Sequence, residues 1–232
     1  MVRLDKRVSL GSGAPRKPAR IMCMAGRVTL NGHVVKNPAT QVEDDDVVAL
    51  DGEVLAGPEP IYLAMHKPAG RVCTHGNDHH PDVFELLTPS LRKRLQAVGR
   101  LDLDATGLLL FTDDGQWSHR VASAKACCPK TYRVTLVEAL QGDAAALLEA
   151  GVKLRGEKKL AHAQLVQHDE LTVDLTVSEG RYHLVKRIAG ALGSRVVTLH
   201  RWRIGDLELG DLPEGEVRML TPEEVDGLAR RG

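Results

Sequence analysis

The sequence predicts an α+β protein of two domains: a small N-terminal module at residues 1–57 and a larger domain at 61–232, the latter a mixed, mostly antiparallel sheet flanked by helices. Three observations carry that expectation. Two prolines and a glycine cluster in AGPEP, residues 56–60, where neither helix nor strand continues easily. Several segments alternate apolar and polar residues with the period of a half-buried strand. Helical patterns fall between them without the regular strand–helix beat of a parallel α/β sheet.

Taken in order, a basic segment runs to about Gly26, and RVTLNGHVV follows at residues 27–35. That stretch alternates, turns at Asn31-Gly32 and alternates again, a hairpin pattern. DDDVVALDG adds another short strand and turn. A segment this short buries only a thin core. Beyond the linker, IYLAMHKPAG reads as a strand closed by a turn, and PDVFELL as a helix opened by Pro81. GLLLFT is a buried strand, and DGQWSHRVA a helix with Asp114 as N-cap. KTYRVTLV and LTVDLTV alternate as strands. RYHLVKRIAGAL places Leu184, Ile188 and Leu192 four apart on a helix that Gly193 ends, and RVVTLHRW returns as a strand.

Composition narrows the function classes. Apolar residues make up 43% of 232, enough for a sizeable core. No stretch reaches the length of a membrane span, and the basic N-terminus lacks the apolar run of a secretory signal, so a cytoplasmic, membrane-free and monomeric protein is expected. Cys23, Cys73, Cys127 and Cys128 show no framework spacing and read as reduced thiols. Formal charge is zero but unevenly spread. Residues 1–36 hold eight Lys or Arg against Asp5 alone, residues 37–60 hold seven acids and no base, and residues 181–203 hold six bases and no acid. Segregation of this kind gives a neutral protein basic faces on which phosphates can rest.

The stretch AVGRLDLDATGLLLFTDDGQWSHRV, residues 97–121, sets acidic residues in a loop between Gly99 and a buried strand. A loop anchored by a strand can hold a polar group rigidly. Asp102 is nevertheless ambiguous on chemistry alone, since most loop carboxylates are solvated. Two metal readings compete with it. Cys73, His75, His79 and His80 lie within eight residues but lack the second ligand pair of a zinc site. Asp102 with Asp104, or Asp113 with Asp114, could serve a nuclease, although helix capping explains the second pair.

Motifs in series decide between these readings. GRLDLDATGLLLFTDDG, with HKPAG at 66–70, KTYRV at 130–134 and EGRYHLVKR at 179–187, resembles the pseudouridine synthases of the RsuA/RluB/RluE/RluF group. DDGQWSHR looks closest to the small-ribosomal-subunit members. At the N-terminus, Arg3-Leu4-Asp5-Lys6, GRVTLNGHVV and DDDVVALDG resemble the S4 RNA-binding domain, a two-helix basic surface beside a small sheet. Pro15 and Pro18 fall where the second of those helices should start.

The resemblance implies isomerisation of a uridine in 16S ribosomal RNA, on a small-subunit assembly intermediate, with neither cofactor nor metal. It makes Asp102 the essential aspartate, Tyr132 the residue packed on the target base, and Lys186 the cation paired with the aspartate. Arg100 would hold the base out of the RNA stack. Arg181 and Arg187, with Arg3, Lys6, Arg16, Lys17 and Arg20 of the S4-like module, would bind RNA. Leu184 stands where the group usually has Gln, which removes a polar contact beside His183. A non-catalytic S4-bearing assembly factor is the alternative, as is another ribosomal uridine as target.

Overall fold

A computed structural model of the protein describes residues 2–43, 46–55, 59–76, 79–123 and 127–230. The chain divides into two units, Met1–Pro60 and Ile61–Gly232. Residues 56–58 of the expected linker, and Asp44 and Asp45 of the acidic run, lie outside the described residues.

In the first unit, four-residue spacing gives each helix one apolar face. Helix Leu4–Ser12 buries Leu4 and Val8, and helix Arg16–Met24 buries Ala19 and Cys23. These meet Val28, Val42 and Val48 in a small core whose members are fully buried. The second helix forms despite its prolines. Pro15 precedes it, and Pro18 falls in the first turn, where a backbone N–H has no helical acceptor to lose. A four-stranded antiparallel sheet runs in the order His33–Val34, Val28–Leu30, Val48–Leu50, Glu53–Val54. Asn31 and Gly32 have φ of 51° and 81°, and Leu30 pairs with His33, so the expected hairpin is present as a two-residue turn with both central residues left-handed.

In the second unit, the sheet runs Gln164–Gln167, Thr172–Val177, Lys130–Leu136, Val196–Ile204, Thr106–Thr112, Tyr62–Lys67, Val217–Met219. Strands Leu207–Glu208 and Gln96–Val98 extend it off this path. Each described pairing is antiparallel except that of Val196–Ile204 with Thr106–Thr112, which is parallel and only two residue pairs long. The expected mixed, mostly antiparallel sheet is therefore two antiparallel halves joined by one short parallel junction. Gly107 makes the junction possible: its φ is +108°, and a Cβ there would lie 2.2 Å from the Arg201 carbonyl oxygen. Two apolar clusters form in this unit, one including Leu109, Phe111, Val134 and Ile188, the other Leu108, Leu110, Trp117 and Ile204.

Helix Gly115–Ala122 begins as expected, with the Asp114 carboxylate accepting from the backbone N–H groups of Gln116 and Trp117 at 2.9 Å each. Two expectations need correction. PDVFELL is not an α-helix but a single 3-10 turn, Val83–Leu86, capped by Asp82 rather than opened by Pro81. The backbone of Val72 bonds to Pro81 and Val83 in strand fashion, so too few residues remain for a longer helix. RYHLVKRIAGAL becomes helical only from Leu184 to Ala191, because His183 is held left-handed at φ 49°. Gly193, at φ +80°, follows its end.

Candidate active site

The loop from Gly99 to Ala105 is fastened by its backbone on both sides of Asp102. Gly99, at φ +75°, makes the bend. The Cys73 thiol accepts from Leu101 N–H at 3.3 Å and donates to Leu101 C=O at 3.4 Å. Lys67, fully buried, donates to the carbonyls of Ala105 at 2.7 Å, Pro68 at 2.9 Å and Leu103 at 3.3 Å. Gly70 N–H also bonds to Leu103 C=O. Two residues of HKPAG thus hold the loop that carries Asp102, and one residue between two such clamps has little freedom.

Asp102 faces the cation that the sequence nominated. Lys186 Nζ lies 3.1 Å from Asp102 Oδ2 and 2.6 and 2.9 Å from the two oxygens of Asp104. His183 Nε2 is 3.6 Å from Asp102 Oδ1. Burial, the largest influence on Lys186, works against its charge, but hydrogen bonds to Asp104 and Asp102 outweigh it and hold its pKa above the usual lysine value. The hydrogen bond from Lys186 holds the Asp104 carboxyl below its ordinary range. One ammonium therefore serves two carboxylates, and only Asp102 of the two is mostly covered, at 24% side-chain exposure against 71%.

A cleft of about 500 Å³ opens at this point, lined by Arg100, Asp102, Lys130, Tyr132, His183 and Arg201 among others. Tyr132 comes from the strand Lys130–Leu136, opposite Leu175 on one side and Arg201 on the other. Arg201, 2% exposed, donates to Leu108 C=O at 2.8 Å, to Arg100 C=O at 3.3 Å and to the Tyr132 hydroxyl at 3.4 Å. Its guanidinium carbon sits 5.9 Å from the tyrosine ring centre. The arrangement sets a shielded carboxylate, a fixed ammonium and a flat aromatic face around one cavity.

Residues 61–191 match the RNA pseudouridylate synthase family, and residues 2–48 match the S4 domain. This chain belongs to the RNA pseudouridylate synthase family. It is 45% identical to the ribosomal small subunit pseudouridine synthase A of Vibrio parahaemolyticus over 98% of this chain and 99% of that one. It is 42% identical to the protein of the same name from Haemophilus influenzae, over 99% and 100%. A crystal structure of a pseudouridylate synthase superposes with a TM-score of 0.71 at 43% identity, covering 98% of this chain and all of the other.

In this pseudouridylate synthase the remaining nominated residues divide. Arg100 is exposed at the cleft. Arg181 is held by the carboxylates of Glu157 and Glu179 and donates to the carbonyls of Lys159 and Leu160. Arg187 is likewise held by Glu157 and bonds to Arg155 C=O. Their shared carboxylate ties the turn before the helix to residues 155–160, so both guanidiniums are already occupied. In the first unit, Arg3 and Arg16 converge on the buried carboxylate of Asp5 at 2.9 and 3.2 Å. Lys17 and Arg20 are exposed on their helix, and Lys6 is partly covered. Leu184, 5% exposed, joins the apolar core.

Sequence reasoning missed Lys67, Asp104, His183, Lys130 and Arg201 as parts of the site. HKPAG and KTYRV carried a signal for Lys67 and Lys130, but nothing local distinguishes Arg201 from the other bases of its strand. The metal readings find no support in the geometry. Cys73 is engaged by Leu101, and His75 stacks on Phe84 at 3.5 Å. Asp113 accepts from Ile61 N–H and pairs with Arg94, while Asp114 caps its helix. Among the described residues no group of three or more His, Cys, Asp or Glu could hold a metal ion, and no helix is long and apolar enough to cross a membrane.

Proposed function

We propose that the chain converts a uridine of 16S ribosomal RNA to pseudouridine, with Asp102 as the catalytic carboxylate, Lys186 as its counter-ion and Tyr132 packed on the target uracil. The expected target is position 516. The observation that carries the reading is the 3.1 Å contact of Lys186 with Asp102, which lines the same cleft as Tyr132. Pseudouridine forms when the N1–C1′ bond breaks, the uracil turns and C5 joins C1′. A carboxylate can promote this by adding to the sugar or by taking a sugar proton, and either route needs it ionised. The Lys186 ammonium supplies the counter-charge 3.1 Å away. The uracil must leave the RNA stack to enter the cleft, and Arg100 at its mouth can fill the space left behind. Residues 1–57 serve as the RNA-binding domain through Lys6, Lys17 and Arg20, with Arg3 and Arg16 braced on Asp5, and residues 61–232 as the catalytic domain. Arg181 and Arg187 support that binding by holding the helix of Lys186 in place. The working enzyme is a cytoplasmic monomer acting on a small-subunit assembly intermediate, without cofactor or metal.

The test uses small-subunit ribosomal RNA labelled with tritium at uridine C5, with and without chelator. Wild type is expected to release tritium to water in both conditions without cutting the chain, and Asp102→Asn to bind without release. Tight binding without release by wild type would favour the non-catalytic assembly factor.

A further inference from the structure

Among the described residues, two of the cations lining the cleft that are not exposed form no ion pair with a carboxylate. Arg201 directs its described hydrogen bonds to two backbone carbonyls and one hydroxyl, and its Nη2 is buried without a partner. Lys130 donates to Cys128 C=O at 2.8 Å. Among the described residues neither forms an ion pair. Burial, with a smaller contribution from the Arg201 charge, pulls the Lys130 pKa below its usual value. Arg133 shows the contrast on the same strand: it pairs with Asp174 through two hydrogen bonds at 3.0 and 2.9 Å. The strand can therefore carry a neutralised cation, yet two positions lining the cleft carry bare ones.

Charge missing from the free protein has a source in the reaction. When N1–C1′ breaks, its electron pair stays on N1, and the uracil becomes an anion with charge spread onto O2 and O4. The sugar carbon is taken by the Asp102 carboxylate or loses a neighbouring proton to form a double bond. When C5 then bonds to C1′ the base becomes neutral, and Asp102 is released from the sugar or returns the proton it took; the C5 proton then passes to water and N1 gains one. Lys130 and Tyr132 alternate on one face of their strand, so the ammonium lies on the same side as the ring proposed to pack on the base. We propose that Lys130 and Arg201 form a cationic floor that stabilises the detached uracil anion, a duty distinct from that of Lys186 toward Asp102. Fixed charges in a site closed to water act strongly on charge that appears only during reaction.

This inference rests on the proposed role of the Asp102 cleft, and the test separates the two. Single-turnover rates and RNA affinity would be measured for full-length wild type, Lys130→Met, Lys130→Arg and Asp102→Asn. Substrates would be RNA bearing uridine or 5-fluorouridine at the target position, with N1–C1′ cleavage read for both by mass spectrometry of nuclease digests, because a C5 fluorine leaves no proton to release. Fluorine withdraws electrons and makes the base a better leaving group. Lys130→Met is expected to slow uridine turnover about 100-fold, the scale of removing one preorganised charge-stabilising donor, with affinity within about threefold. On 5-fluorouridine its loss should be about tenfold or less, and Lys130→Arg should recover most of the rate by restoring the charge. The ratio of the two substrates is internal to each variant, so a partly unfolded fraction cancels. Equal loss on both substrates, or a loss confined to affinity, overturns the proposal. Turnover by Asp102→Asn would instead overturn the reading on which it rests.

Discussion

Lys186 is the residue on which the electrostatics of the cleft turn. It holds Asp102 and Asp104 together, and without it two carboxylates would face each other with His183 as nearest neighbour. With the Asp104 carboxyl lowered and the Lys186 ammonium raised, both stay charged from mildly acidic to strongly alkaline pH. As pH falls, this pair is broken only below the ordinary carboxylate range, and as pH rises only above the ordinary lysine value. Lys186→Met is therefore expected to lower kcat by about 100-fold or more while RNA affinity changes little, measured as tritium release against filter binding. Asp102, Tyr132 and Lys186 could be nominated from sequence because each sits in a motif block, and the roles given to them are proposals. Lys67 was legible only as part of HKPAG, and its work on the carbonyls of Leu103 and Ala105 was not. A fully buried lysine with three carbonyl acceptors is a product of packing, and no local pattern announces it.

Strand Thr106–Thr112 shows how one element can serve both fold and site. It runs antiparallel to Tyr62–Lys67 along its length and meets Val196–Ile204 in parallel at just two positions, next to the Asp102 loop. Gly107→Ala would set a methyl group against the Arg201 backbone and strain a left-handed φ. It is expected to destabilise the protein by about 3 kcal/mol or more, read as a lowered denaturation midpoint, and to reduce turnover with it. The strand itself was plain from its apolar run, as were the Asp114 cap and the Asn31-Gly32 hairpin, because these rest on neighbours in sequence. PDVFELL was misread for the opposite reason. Its apolar residues do pack inward, but the backbone of residues 81–83 is claimed by Val72 from another segment.

At the scale of the whole molecule, zero net charge conceals separate basic and acidic stretches, and each of the two units has its own core. Deleting residues 1–57 is expected to weaken RNA binding more than the single-turnover rate. It should also flatten the salt dependence by about 0.7–0.9 in log–log slope for each phosphate that the module would have neutralised, measured by titration at several salt concentrations. What the sequence determined alone was local or motif-borne: the two-helix module, most strands, the capped helix and the family. Tertiary structure decided which side chains meet across long separations. Arg201 reaches Leu108 and Arg100 from about a hundred residues away, and Lys186 reaches Asp104 across 82. Periodicity and turn chemistry act over a few residues and can be read along the chain, whereas these contacts exist only after distant segments have come together in the sheet.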